Sequence, residues 1–240
     1  MTKYSFFRRN IAGIDVIECP GNPKDPVIIL CHGYGATADN LTFFPSVCVF
    51  ANMRPTWIFP NGIERLPQNL DYGRAWFPLD VPLFESLISD NSVSPTKELK
   101  YKQLFDIDLE RPKEAIENLI ASLNRPFKEI FIGGFSQGAI LTTHLVLTSQ
   151  NAYGGALILS GARLFNKGWE TGIQTCADVP YLQSHGFEDA ILPYFLGTQL
   201  QSLLSEKLHG EFVSFSGGHE IGTSVLQKMQ EFVPFWANYS

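Results

Sequence analysis

The sequence predicts an α/β fold with a mostly parallel central sheet and helices on both faces. Short apolar runs, rich in β-branched and aromatic residues and bounded by Gly or Pro, alternate with longer stretches of helical periodicity. The runs are continuously apolar rather than alternating, as expected of strands covered on both sides. A chain of 240 residues, 45% of them hydrophobic and 18% charged, suffices for one domain across residues 1–240.

Residues 4–19 read as an opening antiparallel pair. The runs 27–31 (VIILC), 56–59 (TWIF), 129–133 (EIFIG), 156–159 (ALIL), 181–183 (YLQ) and 212–215 (FVSF) are the strands that follow. Leu109, Ile116, Leu119, Ile120 and Leu123 form a helical stripe, with Asp108 as its expected N-cap and Pro112 in its first turn. A second stripe runs through Leu196, Leu200, Leu203, Leu204 and Leu208, and Gly210 is placed to close it. Val225, Leu226, Met229, Phe232 and Val233 mark the last helix.

One stretch breaks the rhythm. Residues 78–105 have no clear periodicity, and 89–95 (SDNSVSP) is turn-like. The expectation is a lid-like insertion that carries Leu79, Val81, Leu83, Phe84, Leu87 and Ile88 over the functional mouth.

Composition excludes several classes of function. With 18 basic against 24 acidic residues, a net charge of −6 and no Lys/Arg cluster, a nucleic-acid partner is not expected. Aromatic residues make up 13% of the chain, ample for an apolar pocket. Cys19, Cys31, Cys48 and Cys176 are scattered without a CxxC pair, which argues against a zinc site and a disulfide scaffold, so no metal is expected. Arg8, Arg9 and Asp15 interrupt the amino-terminal apolar residues, so no signal peptide is read there. No run approaches the roughly 18 apolar residues of a transmembrane segment. A cytoplasmic protein, monomer or homodimer, is the expectation.

The strongest chemical signal is Gly134-Phe135-Ser136-Gln137-Gly138, a G-x-S-x-G directly after a strand and before the helical stretch 139–147. A serine on such a sharp turn is exposed, with glycines two residues away on either side where backbones cross. The following helix start aims backbone N–H groups and a positive dipole end at a developing oxyanion. A serine hydroxyl needs a base, and the base needs an orienting acid. His144 lies on the helix after the serine, and His209 sits where a helix end explains it. His219, after Ser216-Gly217-Gly218 and just past the last strand, is where the base belongs. For the acid, Asp189 and Glu188 compete in the loop after the 181–183 strand. Asp189 is also a possible helix cap, and His185 a loop-holding residue. Cys31-His32-Gly33-Tyr34-Gly35 follows the first buried strand, so the Tyr34 N–H is assigned as an oxyanion donor together with the Gln137 N–H.

Five segments in order resemble the phospholipase/carboxylesterase family of the α/β-hydrolase superfamily, which includes acyl-protein thioesterases and lysophospholipase-like enzymes. They are LCHGYGA (30–36), RAWF (74–77), GGFSQGA (133–139), HGFEDAILP (185–193) and GGHE (217–220). The resemblance implies an α/β-hydrolase fold, a Ser136–Asp189–His219 triad with Asp189 chosen over Glu188, and oxyanion donors at Tyr34 and Gln137. It also implies substrate contacts at Trp76 and Phe77. The expected activity is hydrolysis of small acyl esters or thioesters through an acyl-enzyme, without a cofactor, with a carboxylesterase on short to medium acyl chains leading. An acyl-protein thioesterase or lysophospholipase follows, and a catalytically silent binding module comes last. The chain departs from the family at Gly35-Ala36-Thr37, where an acidic residue is common, and in the longer 78–105 insertion.

Overall fold

The amino-terminal residues pair on themselves first. In the computed structural model, which describes residues 4–67, 73–89, 95–104, 107–164 and 167–239, β1 (Phe7–Ile11) and β2 (Ile14–Cys19) form an antiparallel hairpin. Ala12 and Gly13 have φ of 50° and 86°, the twist that a two-residue hairpin turn requires. Next come β3 (Val27–Cys31), α1 (Phe44–Val47), β4 (Thr56–Pro60) and a small ribbon of β5 (Glu64–Arg65) with β6 (Arg74–Ala75). Three helices follow: α2 (Val81–Ser89), α3 (Pro95–Leu104) and α4 (Glu110–Ser122). The second half alternates strictly. β7 (Ile130–Phe135) leads to α5 (Gln137–Thr148), β8 (Gly155–Leu159) to α6 (Lys167–Thr175), β9 (Tyr181–Gly186) to α7 (Tyr194–Leu204), and β10 (Gly210–Phe215) to α8 (Thr223–Tyr239).

Among the described residues the main sheet has eight strands in the order β1-β2-β4-β3-β7-β8-β9-β10. Two antiparallel pairs give it its mixed character: β2 is antiparallel to β1 and β4, and every pairing from β4 through β10 is parallel. Successive side chains on a strand face opposite ways, and the runs are apolar throughout because both faces are covered. Ile28, Leu30, Phe59 and Phe131 pack with Phe44 of α1 and with Val225, Met229 and Trp236 of α8. Ile29, Ile58, Ile132 and Ile158 pack on the other face with Ile116 of α4, Leu145 of α5, Trp169 of α6 and Leu196 of α7. Each such side chain contributes about 1.5–3 kcal/mol when fully buried. No described helix is long and apolar enough to cross a membrane.

Three expectations need correction. Residues 78–105 are not a structureless insertion, because 81–89 and 95–104 are helical. Asp80 opens α2 by accepting the Leu83 N–H on its Oδ1 at 3.0 Å. Leu87, Tyr101 and Leu104 are buried in the main core. Residues 90–94 of the expected turn, and the Ile88 side chain, lie outside the described residues. Second, α4 starts one residue later than expected: Leu109 occupies the cap position, and Asp108 accepts the Glu110 N–H at 2.9 Å. Third, Gly210 does not close a helix. α7 ends at Leu204, and Gly210 begins β10, where a Cβ would lie 2.2 Å from the Tyr181 carbonyl oxygen.

Candidate active site

The carboxyl ends of the parallel strands lie side by side, so the loops that leave them converge. The loop after β3 brings His32 to Tyr34, the turn after β7 brings Ser136, the loop after β9 brings Asp189, and the loop after β10 brings His219.

Ser136 has φ 57° and ψ −117°, a strained backbone for a residue with a side chain. The turn is held closed from both sides. The Ser136 N–H donates to the Leu159 carbonyl at 2.9 Å, and the Ser136 carbonyl accepts the Ala139 and Ile140 N–H groups at 3.0 and 3.1 Å. The flanking glycines are steric requirements. A Cβ on Gly134 would sit 2.2 Å from the Gly138 backbone, and one on Gly138 would sit 2.2 Å from the Cys31 carbonyl. With its main chain committed inward, the serine turns its hydroxyl outward. Its Oγ lies 2.8 Å from His219 Nε2.

His219 Nδ1 lies 2.7 Å from Asp189 Oδ2. An ionised carboxylate only accepts, so Nδ1 carries the proton and Nε2 is free to accept from the Ser136 hydroxyl. The ring also leans on Phe135, with centroids 4.8 Å apart. The Asp189 side chain is fully buried. Burial pushes its carboxyl up, but hydrogen bonding from His185, His219 and the Leu192 N–H outweighs this and holds it well below the usual carboxylate range. Its other oxygen, Oδ1, accepts the Ile191 and Leu192 N–H groups at 2.9 and 2.8 Å. Asp189 therefore caps its own loop, while Pro193 takes the cap position of α7. Glu188 is exposed, and the carboxylate that meets His219 belongs to Asp189.

The other histidines sit apart from this chain of contacts or behind it. His144 is buried, with Nε2 3.1 Å from Glu110 Oε1 and Nδ1 accepting from the Trp169 indole at 3.1 Å. His209 is exposed and lies 3.7 Å from Asp178, a partner other than the helix end expected for it. His185 ties the acid loop together: its Nε2 is 2.7 Å from the Leu192 carbonyl and 3.3 Å from Asp189 Oδ2.

Tyr34 and Gln137 line the same cavity as Ser136, and among the described residues neither backbone N–H donates to a protein acceptor. Their placement is fixed by neighbours. Gly35 donates to the Arg74 carbonyl and Arg74 to the Ala36 carbonyl, each at 2.9 Å, which ties the Tyr34 loop to β6. His32 stands fully buried beneath that loop, with Nδ1 2.7 Å from the Gly33 carbonyl and Nε2 accepting from the Gly62 N–H at 2.9 Å. Burial lowers its pKa to about 4, only partly offset by the Gly33 contact, so it is neutral at pH 7.

The cavity at Ser136 encloses about 630 Å³. Its greasy wall is built by Leu41, Phe43, Phe77, Leu79, Phe84 and Ile221. Phe77 lines it. Trp76 does not. That ring is fully buried and is not part of the cavity lining; its indole N–H donates to the His32 carbonyl at 2.9 Å. Another concavity of about 670 Å³ opens at the amino ends of the strands, lined by Tyr153, His209 and Trp236 among others, and holds none of Ser136, Asp189, His219, Tyr34 and Gln137.

Sequence reasoning missed the Gln137 side chain. Its Oε1 accepts the Trp76 N–H and its Nε2 donates to the Phe77 carbonyl, both at 2.8 Å, so one amide clamps the Trp-Phe segment against the serine turn. The joint presence of 74–77 (RAWF) and 133–139 (GGFSQGA) was the only trace of that contact in the sequence.

Residues 12–237 match the phospholipase/carboxylesterase family. The chain belongs to that family. Similar curated members include acyl-protein thioesterase 1 of Eremothecium gossypii, 27% identical over 233 residues and 90% of each chain. Carboxylesterase SOBER1 of Arabidopsis thaliana is 28% identical over 190 residues, covering 74% of this chain and 75% of that one. In fold, this family member is similar to the crystal structure of SOBER1, with a TM-score of 0.63 at 23% identity over 88% of this chain and 99% of that one. It is likewise similar to the Bacillus cereus carboxylesterase, with a TM-score of 0.63 at 17% identity over 93% of this chain and 94% of the other.

Proposed function

We propose that the protein is a serine hydrolase of carboxylic esters and thioesters that works through an acyl-enzyme, with Ser136, His219 and Asp189 as its triad. The observation that carries the reading is the unbroken hydrogen-bonded chain from Ser136 Oγ through His219 to Asp189, opening on an apolar cavity. His219 takes the Ser136 proton as the hydroxyl attacks the acyl carbonyl. Asp189 fixes the imidazole tautomer and stabilises the imidazolium that forms. The N–H groups of Tyr34 and Gln137 receive the oxyanion, each contributing about 3–4 kcal/mol to lowering the barrier. His219 then gives its proton to the leaving alcohol or thiol. Water, deprotonated by the same imidazole, releases the acid and restores Ser136.

The preferred substrate class is a short to medium acyl chain, seated against Phe77, Leu79 and Phe84 with its carbonyl at Ser136. A second reading, hydrolysis of acylated proteins, is favoured by the relatives named acyl-protein thioesterase. A panel of nitrophenyl esters of increasing chain length, with acyl-thioester peptides and lysophospholipids alongside, separates these. Highest kcat/KM on esters of about four to eight carbons supports the first reading, since each buried methylene contributes about 0.8 kcal/mol until the wall is filled. Preference for the thioester peptides supports the second. No turnover of any substrate would leave a silent binding module.

A further inference from the structure

A two-residue segment outside the triad touches all three of its strands' exits. At the end of β8, the Leu159 carbonyl accepts the Ser136 N–H at 2.9 Å. The next residue, Ser160, donates its N–H to the Ser184 carbonyl at 2.9 Å, five residues before Asp189 on the strand that feeds the acid loop. Its side-chain hydroxyl donates to the carbonyl of Glu220, the residue directly after His219, at 3.0 Å. Ser160 is completely buried, and its φ is 49°, in the left-handed region where a glycine would sit at no steric cost. A side chain has thus been kept at a position that favours glycine, and its only polar atom is spent on the His219 loop.

We propose that Ser160 is a positioning residue, whose hydroxyl anchors the Glu220 carbonyl and so sets where the His219 ring stands relative to Ser136. The inference rests on the triad reading above. The loop is pinned at its base by the Glu188 N–H on the Gly217 carbonyl at 2.9 Å, but past His219, among the described residues, Ser160 is the one side chain from outside the loop that hydrogen-bonds its backbone. Strain retained where the surrounding structure holds it is a pattern of functional sites. Losing the tether lets the base drift by a fraction of an ångström to an ångström, which is enough to weaken proton transfer about 10- to 100-fold. Binding of an acyl chain seated against Phe77, Leu79 and Phe84 is expected to change little.

Ser160→Gly removes the hydroxyl and relieves the backbone strain at once, so stability and activity are expected to part company. The variant should melt at or above the temperature of the native protein, while kcat on a nitrophenyl ester falls about 10- to 100-fold and KM stays within about two-fold. Ser160→Ala, which loses the hydroxyl but keeps the strained backbone, should show the same kcat loss with a lower melting temperature. If the glycine variant does not fold, the alanine variant carries the test. Full kcat in either folded variant overturns the proposal, and so does a loss confined to KM. Ser136→Ala run beside them separates the two levels. If it retains activity, the triad reading fails. If it is inactive while Ser160→Gly is fully active, only the role of Ser160 falls.

Discussion

Asp189 holds His219 and its own loop with different oxygens: Oδ2 meets His219 Nδ1 at 2.7 Å, and Oδ1 takes the Ile191 and Leu192 N–H groups. One carboxylate thus fixes both the base and the segment that presents it. This division makes Asp189→Asn and Asp189→Ala different experiments. Asparagine can keep the carbonyl oxygen on the loop and put an N–H₂ against the imidazole, which selects the wrong tautomer. It should fold and lose about 10⁴-fold in kcat. Alanine should lose the same activity and also about 1–3 kcal/mol of stability, read by urea unfolding, because the Leu192 N–H is left buried without an acceptor. Glu188→Gln, on an exposed side chain, should leave kcat within about two-fold.

A second expectation concerns pH and stability. His32 is buried and neutral, and its pKa in the folded protein is about 4 against an ordinary value of 6.5. Below pH 6.5 the unfolded chain takes up a proton that the folded one refuses, so stability is lost as pH falls from 6.5 towards 4. The shift corresponds to about 3 kcal/mol over that window. His144, also lowered by burial, acts in the same direction. Urea midpoints at pH 7, 6 and 5 should fall steadily. Nitrogen chemical shifts of His32 at pH 5.5 should show a neutral ring protonated at Nδ1. A His32 imidazolium at that pH would contradict the arrangement.

The third expectation follows from the two helices of the 78–105 segment. Phe84 of α2 faces the cavity while Leu87 of the same helix is buried in the core. Phe84→Ala should flatten the preference among acyl chains, since each methylene no longer buried forfeits about 0.8 kcal/mol, or roughly four-fold in kcat/KM. Its melting temperature should fall less than that of Leu87→Ala, because Phe84 is only partly buried. Leu87→Ala should do the reverse, costing about 2–5 kcal/mol of stability with the chain-length profile kept. An unchanged profile in Phe84→Ala would assign selectivity to another wall.

These outcomes mark how far the sequence could be read. The strands were legible because residues such as Ile28 and Ile29 are apolar in succession, and a sheet covered on both faces demands that. The serine turn was legible because the close backbone crossings at Gly134 and Gly138 admit only glycine, and His219 because it follows the turn-forming Ser216-Gly217-Gly218 just past the last strand. α3 was not. Its buried Tyr101 and Leu104 lie within one turn of an otherwise polar segment, so no stripe forms, and Leu99 points to solvent. Trp76 was misplaced because a large aromatic beside Phe77 reads as pocket wall, whereas its indole N–H reaches the carbonyl of a residue 44 positions away in sequence. The Gln137 clamp and the Ser160 tether are contacts of the same kind, long-range and polar, and no local pattern announces them.

The central claim is that Ser136 is the activated nucleophile. The direct measurement is mass spectrometry of the protein after reaction with a fluorophosphonate. The account predicts a single adduct on the peptide that contains Ser136, with ester hydrolysis lost in step with labelling, and neither labelling nor hydrolysis in a folded Ser136→Ala variant. An adduct on another residue, or hydrolysis that survives the substitution, would contradict it.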